Sequence, residues 1–549
     1  MPSASEVFVS ALKNEGVEYV FGVPGEENID LLEAMRQSDI KFILTRHEQG
    51  AGFMADVYGR LTGRAGVCLS TLGPGATNLL TPLADAYLDH APVVAITGQA
   101  DTLRLHKESH QYVDIVSTFG PVTKWNTRIG RPDMVAEVVR KAFKVAEAEK
   151  PGTTHLEFPE DVAAEQCKNP RHFEVRKVRR PAPDYKACAS ALDLIREARR
   201  PLILAGNGAI RKRAIKQLRI FLDKTGMAIC NTFMGKGAAG FDYQCNLYTI
   251  GMQSRDHISC AFEEADLVVC VGYDIVEYAP QFWNPDGNQR IVHIDFDPAE
   301  VDYHYAPEVE LVGDIASTLW ELNEQIDDSI PTYTGDFAVK HRKNILADIH
   351  EFDDDDSFPV KPQKILHDVR EVLEDEDIVV SDVGAHKLWV ARAYLVHEPN
   401  TCIISNGFAS MGIALPGGIA AKLVFPDRNV LTISGDAGFL MNVQELETAV
   451  RLGTPTVNMI WSDGTLGLIE WKQERKFGQA FGTRFENPDW VKLAQSFGAL
   501  GIRVKEGDDL RRVLKRAFRA GKPVVIDVPV DYSENIRLTE RLGKLVCPM

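Results

Sequence analysis

Two short stretches place carboxylates where parallel sheets do their chemistry: ISGDAGFLMN at 433–442 and IWSDGT at 460–465. Each sets an aspartate on a glycine turn at the end of an apolar run, Asp436 in the first and Asp463 in the second. The aspartates stand 463 − 436 = 27 residues apart, room for a helix and a return to the adjacent strand. Their side chains are therefore expected side by side beyond the strand ends. Two bare carboxylates repel each other, and a hard divalent cation that also takes phosphate oxygens removes the repulsion. The free N–H groups expected near Ala437 and Gly438, at the start of a helix running through AGFLMNVQELETAV, favour phosphate at the same place. The pattern points to Mg²⁺ with a diphosphate, the plain alternative being two ordinary surface turns.

The elements that must carry these turns are β-branched apolar runs, most of them ending in glycine before helical spacing: AGVCLSTLGPG, APVVAITGQ, PLILAGNG, ADLVVCVGY, QRIVHIDFD, NVLTISGD and PTVNMIW. Continuous apolar strands alternating with helices imply parallel sheets covered on both faces, an α/β class of doubly wound domains. Polar segments around 167–185 and 350–362 separate three domains, 1–165, 186–345 and 358–535, and the acidic run 353–356 reads as a solvated linker face. The first and third share one unit of strand, glycine turn, helix, proline and strand. Gly73 to Pro92 spans 92 − 73 = 19 residues and Gly435 to Pro455 spans 455 − 435 = 20. Two such domains can face each other across a ligand. The middle domain reads as Rossmann-like, but its lone Gly206-Asn207-Gly208 turn is a weak nucleotide signal, and no nucleotide is expected there.

Composition narrows the partners. The 549 residues are 45% hydrophobic and 25% charged, and a formal net charge of −17 argues against an electrostatic binder of nucleic acid or membrane. Nine cysteines without a C-x-x-C pair suggest neither a disulfide framework nor a zinc site. No apolar run approaches the roughly 20 residues of a membrane span, and the expected location is the cytoplasm.

GDAGFLMN with SDG at this spacing resembles the motif of thiamine-diphosphate-dependent enzymes, usually GDG, a helix, then NN. Ala437 replaces the last glycine, and Ser462 and Asp463 replace the asparagines. The resemblance implies Mg²⁺ held by Asp436, Asp463 and the backbone carbonyl of Thr465, with Ala437, Gly438 and Leu466 in the cofactor-binding set. The first domain is similar to the same family in FGVPG, which ends at Gly25, in GPGATN at 73–78, and in TRHEQGAGFMADVYGR. There Glu48 matches the glutamate that protonates the aminopyrimidine N1′ and so activates the cofactor. DVGAHKLW is similar to the segment around the diphosphate, implying roles for Ala385 and His386. SNGFASMG is similar to the segment beneath the bent cofactor, implying a contact from the Ala409 carbonyl and support from Met411. The plain alternatives are an ion-paired helix-start residue for Glu48, with Arg46 or His47 nearby, core filling for Met411 and a structural imidazole for His386.

Over nearly the whole chain the resemblance is closest to the acetolactate synthases of the catabolic, FAD-independent type. It implies decarboxylation of pyruvate and joining of the two-carbon remainder to a second pyruvate, giving 2-acetolactate and CO₂. Gln111, in RLHKESHQYVDIVSTFGPVTKWN, matches the substrate-side glutamine, and Gly25 joins it and Glu48 in the implied catalytic set. VGYDIVEYAPQFWNP lacks the arginine-containing RFDDR segment of the biosynthetic branch, so FAD is not expected. His110-Gln111, in place of the His-His pair of pyruvate decarboxylases, favours carboligation, and Glu48 separates the chain from glyoxylate carboligase. LGLIEWKQERKF matches the segment shaping the acceptor pocket, with Leu468 and Ile469 suited to a small apolar donor group. The family implies at least a dimer, with a tetramer expected, and active sites shared between subunits. Competing readings are another 2-keto-acid carboligase or decarboxylase, a flavin-linked pyruvate oxidase, and a non-catalytic regulatory member.

Overall fold

A computed structural model describes residues 1–176, 180–211, 213–252 and 256–535. Its described strands form three six-stranded sheets in which every pairing is parallel. The expected α/β class is found. Strands such as Val93–Gln99 and Thr153–Pro159 are buried at every position, which explains the absence of alternation in their sequences.

Counting strands in chain order within each sheet, the first and third sheets both run 2-1-3-4-6-5, so the repeated unit read from the glycine turns is a repeated topology. The middle sheet runs 3-2-1-4-5-6, the order of dinucleotide-binding sheets. Helix Glu48–Thr62 of the first domain packs on helix Ala414–Val424 of the third. One apolar cluster accordingly holds Phe53 and Val57 together with Ile413, Ile419 and Phe439. The middle and third domains share a second cluster, which includes Phe262, Trp283, Trp389 and Trp461.

A buried charge cluster ties the junction together. Arg60 pairs with Asp56, Asp85 and Asp89 at 2.6, 3.3 and 2.8 Å. Asp89 accepts the N–H groups of Asn406 at 3.1 Å and Gly407 at 2.6 Å, while Asp85 accepts that of Ser410 at 3.1 Å. From the middle domain, the Asn207 amide donates to the Asp89 carbonyl at 2.9 Å. Burial, then the Asp89 and Asp56 charges, pushes the Asp85 carboxyl well above its usual range.

One element departs from expectation. The helix expected through AGFLMNVQELETAV is split into Asp436–Met441 and Glu445–Leu452. Asn442 takes non-helical dihedrals between the two pieces, and its Nδ2 donates to the Gly412 carbonyl at 2.8 Å, a tertiary bond that competes with the helix ladder. Among the described residues seven cysteines are free and buried, whereas Cys260 is disulfide-bonded, which the scattered spacing of the cysteines does not show. No described helix is long and apolar enough to cross a membrane.

Candidate active site

Strands Val430–Gly435 and Val457–Ser462 lie side by side with Gly435 opposite Trp461, which brings Asp436 and Asp463 to the same sheet edge. Asp436 is 1% exposed. Its Oδ2 accepts three bonds, from the backbone N–H of Asp463 at 3.1 Å, that of Gly464 at 2.7 Å and Asn487 Nδ2 at 2.7 Å. Its Oδ1 accepts the N–H of Ala437 at 2.8 Å. Gly464 holds φ at +70°, the left-handed turn that aims both N–H groups at one carboxylate and that a side chain would strain. Partial burial and the Asp436 charge push the Asp463 carboxyl up to about 7. Thr465 bonds its hydroxyl to Glu470, leaving the role implied by the family to its backbone carbonyl.

Two groups at the same edge are buried and unpartnered, His386 Nε2 and Asn487 Oδ1, while the buried Ser434 hydroxyl faces the buried Asp382 carboxylate. Asp382 follows strand Ile378–Ser381, adjacent to Val430–Gly435. The glycine backbone lies close against these groups: a Cβ on Gly438 would sit 3.1 Å from Asp382 Oδ2, and one on Gly435 would sit 3.3 Å from His386 Nδ1. Burial pushes the His386 imidazole down to about 3, so it is neutral. Ala385 opens helix Ala385–Ala393. A Cβ on Gly467, next to Leu466, would meet Asp463 Oδ2 at 3.0 Å and the Ala385 Cβ at 4.0 Å, so Ala385, Asp463 and the turn at Leu466 converge.

The segment bearing Ala409 and Met411 crosses this edge. Ala409 holds φ at +57° and Gly412 at +95°. Gly412 is gripped from both sides, its N–H donating to Asp382 Oδ1 at 2.7 Å and its carbonyl accepting from Asn442. Asp382, Asn442 and Asn487 carried no role in the sequence reading. Asp382 alone had a findable signal, since IVVSDVG ends an apolar run in a carboxylate and glycine, as ISGDAG does.

The other sequence-derived residues gather in the first domain. Glu48, 9% exposed, opens helix Glu48–Thr62, and its Oε2 accepts Asn78 Nδ2 at 2.9 Å. Among the described residues no ion pair joins it to Arg46 or His47. Those two residues instead donate their backbone N–H groups to Glu445 of the third domain at 3.0 and 3.1 Å, and burial pushes Glu445 up to about 7. Gly25 is required by close approach, because a Cβ there would lie 2.3 Å from the Thr71 Cβ. A Cβ on Gly75 would sit 3.2 Å from Glu48 Oε1, and one on Gly73 2.5 Å from the Gln111 carbonyl. Gly25, Glu48, Asn78 and Gln111 thus surround one turn, with Gln111 exposed and at φ +58°.

Among the described residues no hydrogen bond or ion pair links Gly25, Glu48 or Gln111 to Met411, Asp436 or Asp463. What the arrangement offers is two candidate half-sites on topologically identical sheets: a buried glutamate oriented by an amide, and a carboxylate pair beside unpartnered polar groups and glycine backbone.

Comparison with known proteins places these halves. Residues 2–118 match the thiamine pyrophosphate enzyme N-terminal TPP binding domain, 188–322 the central domain and 382–528 the C-terminal TPP binding domain. The chain is 38% identical over 552 residues to an acetolactate synthase of Bacillus subtilis (strain 168), covering 98% of this chain and 95% of that protein. It is 34% identical to the catabolic acetolactate synthase of Raoultella terrigena, covering 98% and 97%. Identity is also 34% to a probable acetolactate synthase large subunit of Methanocaldococcus jannaschii, covering 98% and 94%. With half-sites of this chemistry, three matching domains and relatives of this identity along almost its full length, the chain belongs to the thiamine pyrophosphate enzymes, among the acetolactate synthases.

Proposed function

We propose that the protein is an acetolactate synthase, which decarboxylates one pyruvate and joins the two-carbon remainder to a second, releasing CO₂ and 2-acetolactate. The observation that carries this is Glu48, buried and held by Asn78, in a chain similar to acetolactate synthases along nearly all its length. In this reading 1–165 takes the aminopyrimidine, 358–535 takes the diphosphate and Mg²⁺, and 186–345 is the central domain. Incubation with pyruvate, thiamine diphosphate and Mg²⁺, followed by acidification, should yield acetoin. A preparation that binds thiamine diphosphate and forms no such product would overturn the reading.

Bound thiamine diphosphate supplies the electron sink that decarboxylation needs. Glu48 holds the proton exchanged with the aminopyrimidine, and Asn78 fixes the orientation of its carboxylate. Asp382 and Asn442 clamp Gly412, and so hold the segment from which the Ala409 carbonyl would meet the aminopyrimidine and Met411 would support the cofactor. Ala385, His386, Ala437, Gly438 and Leu466 would hold the diphosphate. Gly25 and Gln111 stand on the substrate side.

The residues fit Mg²⁺. The Asp436 charge raises the cost of ionising Asp463, and a hard cation would offset that cost while accepting phosphate oxygens. The Thr465 carbonyl would complete the protein ligands. FAD does not suit the middle domain, where Glu277 Oε1 accepts the Asn207 N–H of the glycine turn at 3.0 Å. A carboxylate thus occupies the donor that a dinucleotide phosphate needs.

The active site forms between subunits of a dimer or tetramer in this proposal. Exposed apolar side chains flank both halves in the single chain: Ile29, Leu103 and Val113 around the Glu48 group, and Phe408, Leu440 and Met441 around the Asp436 group. We propose a cytoplasmic location, which the seven free, buried cysteines among the described residues favour and the disulfide at Cys260 does not.

A further inference from the structure

Between the middle and third domains, far along the chain from the glycine turns, three side chains converge. His350 caps the C-terminus of helix Asp336–Ile349, Asp353 sits three residues on, and His367 projects from helix Pro362–Val372. Both imidazoles point Nδ1 at one oxygen, Asp353 Oδ2, at 2.8 Å from His350 and 3.3 Å from His367. We propose that His350, Asp353 and His367 form a binding site for a borderline divalent transition metal of the Zn²⁺ class.

The donor set chooses that class. Two imidazole nitrogens and one carboxylate suit Zn²⁺ and its first-row neighbours, whereas Mg²⁺ and Ca²⁺ take oxygen ligands. This separates the site from the carboxylate pair at Asp436 and Asp463. The three donor atoms all lie within 4.8 Å of one another. Ligands on a tetrahedral ion with bonds of roughly 2.0–2.1 Å stand about 3.4 Å apart, so a modest opening of the cluster admits the ion. Solvent reaches the half-exposed His350 side chain, leaving the fourth position to water.

Two further observations point the same way. Asp353 Oδ1 is buried without a hydrogen-bond partner, so the carboxylate is incompletely satisfied by the imidazoles alone. The local charge is also strongly negative: Glu351, Asp353, Asp354, Asp355 and Asp356 fill five of six positions. The nearby cations are engaged elsewhere, Lys361 with Asp355 at 2.7 Å and Lys364 with Asp368 at 2.8 Å. The backbone is set for the task by consecutive turns, with the Asp353 N–H donating to the His350 carbonyl and that of Asp355 to the Phe352 carbonyl. A bound ion would staple the end of one helix to the face of another across the linker.

The test is a Co²⁺ titration of untagged full-length protein already saturated with thiamine diphosphate and Mg²⁺, read by visible absorption and by metal content after desalting. The expected result is one Co²⁺ per chain with nitrogen-ligand bands, displaced by Zn²⁺, retained in Asp436→Asn and abolished in His350→Gln/His367→Gln. Each single glutamine variant should weaken binding by at least the roughly 10–100-fold that loss of an outer-shell partner costs. Acetolactate formation and the far-ultraviolet circular dichroism of the double variant should match the parent, which separates loss of the metal from loss of the fold. Absence of Co²⁺ and Zn²⁺ uptake beyond the active-site metal, or equal uptake by parent and double variant, overturns the proposal.

Discussion

Glu48 and Asp463 are where single atoms carry the proposed chemistry. Glu48→Gln keeps the size and the Asn78 contact but removes the exchangeable proton. It should lower kcat by roughly 10²–10⁴-fold, while calorimetry finds thiamine diphosphate binding retained. Unchanged kcat would show that the glutamate has no part in activation. Asp463 stands where the family motif has an asparagine, and it adds a charge to the metal pair. Asp463→Asn should weaken Mg²⁺ on the order of 10-fold, about 1.4 kcal/mol, in a reconstitution assay that varies Mg²⁺ at saturating thiamine diphosphate. Equal Mg²⁺ dependence in the two proteins would mean that residue 463 contributes only through its backbone.

The element that turns these residues into a site is the segment 405–412, which has no regular structure of its own. Asp85 and Asp89 bind its N–H groups on one side, and Asp382 and Asn442 hold Gly412 on the other. Asp89→Ala removes one partner from the buried cluster around Arg60, and breaking such a cluster costs about 3–5 kcal/mol. The expected outcome is a marked fall in Tm with a weakened grip on thiamine diphosphate, because Asn406 and Gly407 lose their anchor. A variant that loses stability but binds the cofactor as before would confine Asp89 to the junction. The SDG turn is a second such element. Gly464→Ala forces a side chain into left-handed backbone at about 1–2 kcal/mol, and the released N–H groups should let Mg²⁺ dissociate more readily on dialysis.

At the scale of the whole molecule, the division of the proposed site between the first and third domains makes a quantitative expectation. If Glu48 of one subunit faces Asp436 of another, a dimer of Glu48→Gln with Asp436→Asn chains holds one intact site and one doubly altered one. Equal mixtures, unfolded and refolded together, should recover about a quarter of wild-type activity in a symmetric dimer, although each variant alone is inactive. A mixture that stays inactive after demonstrated exchange would place both halves in one chain. Stability in acid follows from buried imidazoles. Burial pushes His155 down to about 3, whereas in the unfolded chain it protonates near 6.5. Its contribution is complete above about 6.5 and is lost as pH falls toward 3, at up to roughly 1.4 kcal/mol per unit. Urea unfolding at pH 7 and pH 5 should therefore show a loss that shrinks by about 2 kcal/mol in His155→Leu.

What the amino-acid order determined by itself was periodicity and local chemistry. Strands buried on both faces must be continuous apolar runs, so Val93–Gln99, Val430–Gly435 and Val457–Ser462 announced parallel sheets. Turns that hold a carboxylate at a strand end need glycine, so the Asp436 and Asp463 turns, with their spacing of one helix, were visible before any fold. Contacts between residues distant in the chain were decided only by tertiary structure. Asn487 donates to Asp436 from 51 residues away, Glu445 receives the backbone of Arg46 and His47 from the other domain, and Asp382 reaches Gly412 across 30 residues. Asn442 broke a helix that its neighbours favour, because a bond to Gly412 outweighed one more turn. Such partners leave no periodic trace, since any asparagine or aspartate in a loop looks alike until packing fixes what stands opposite it. The cluster of His350, Asp353 and His367 illustrates the same limit: as sequence it was an acidic linker, and only the meeting of one helix end with the face of another gave its imidazoles a common target.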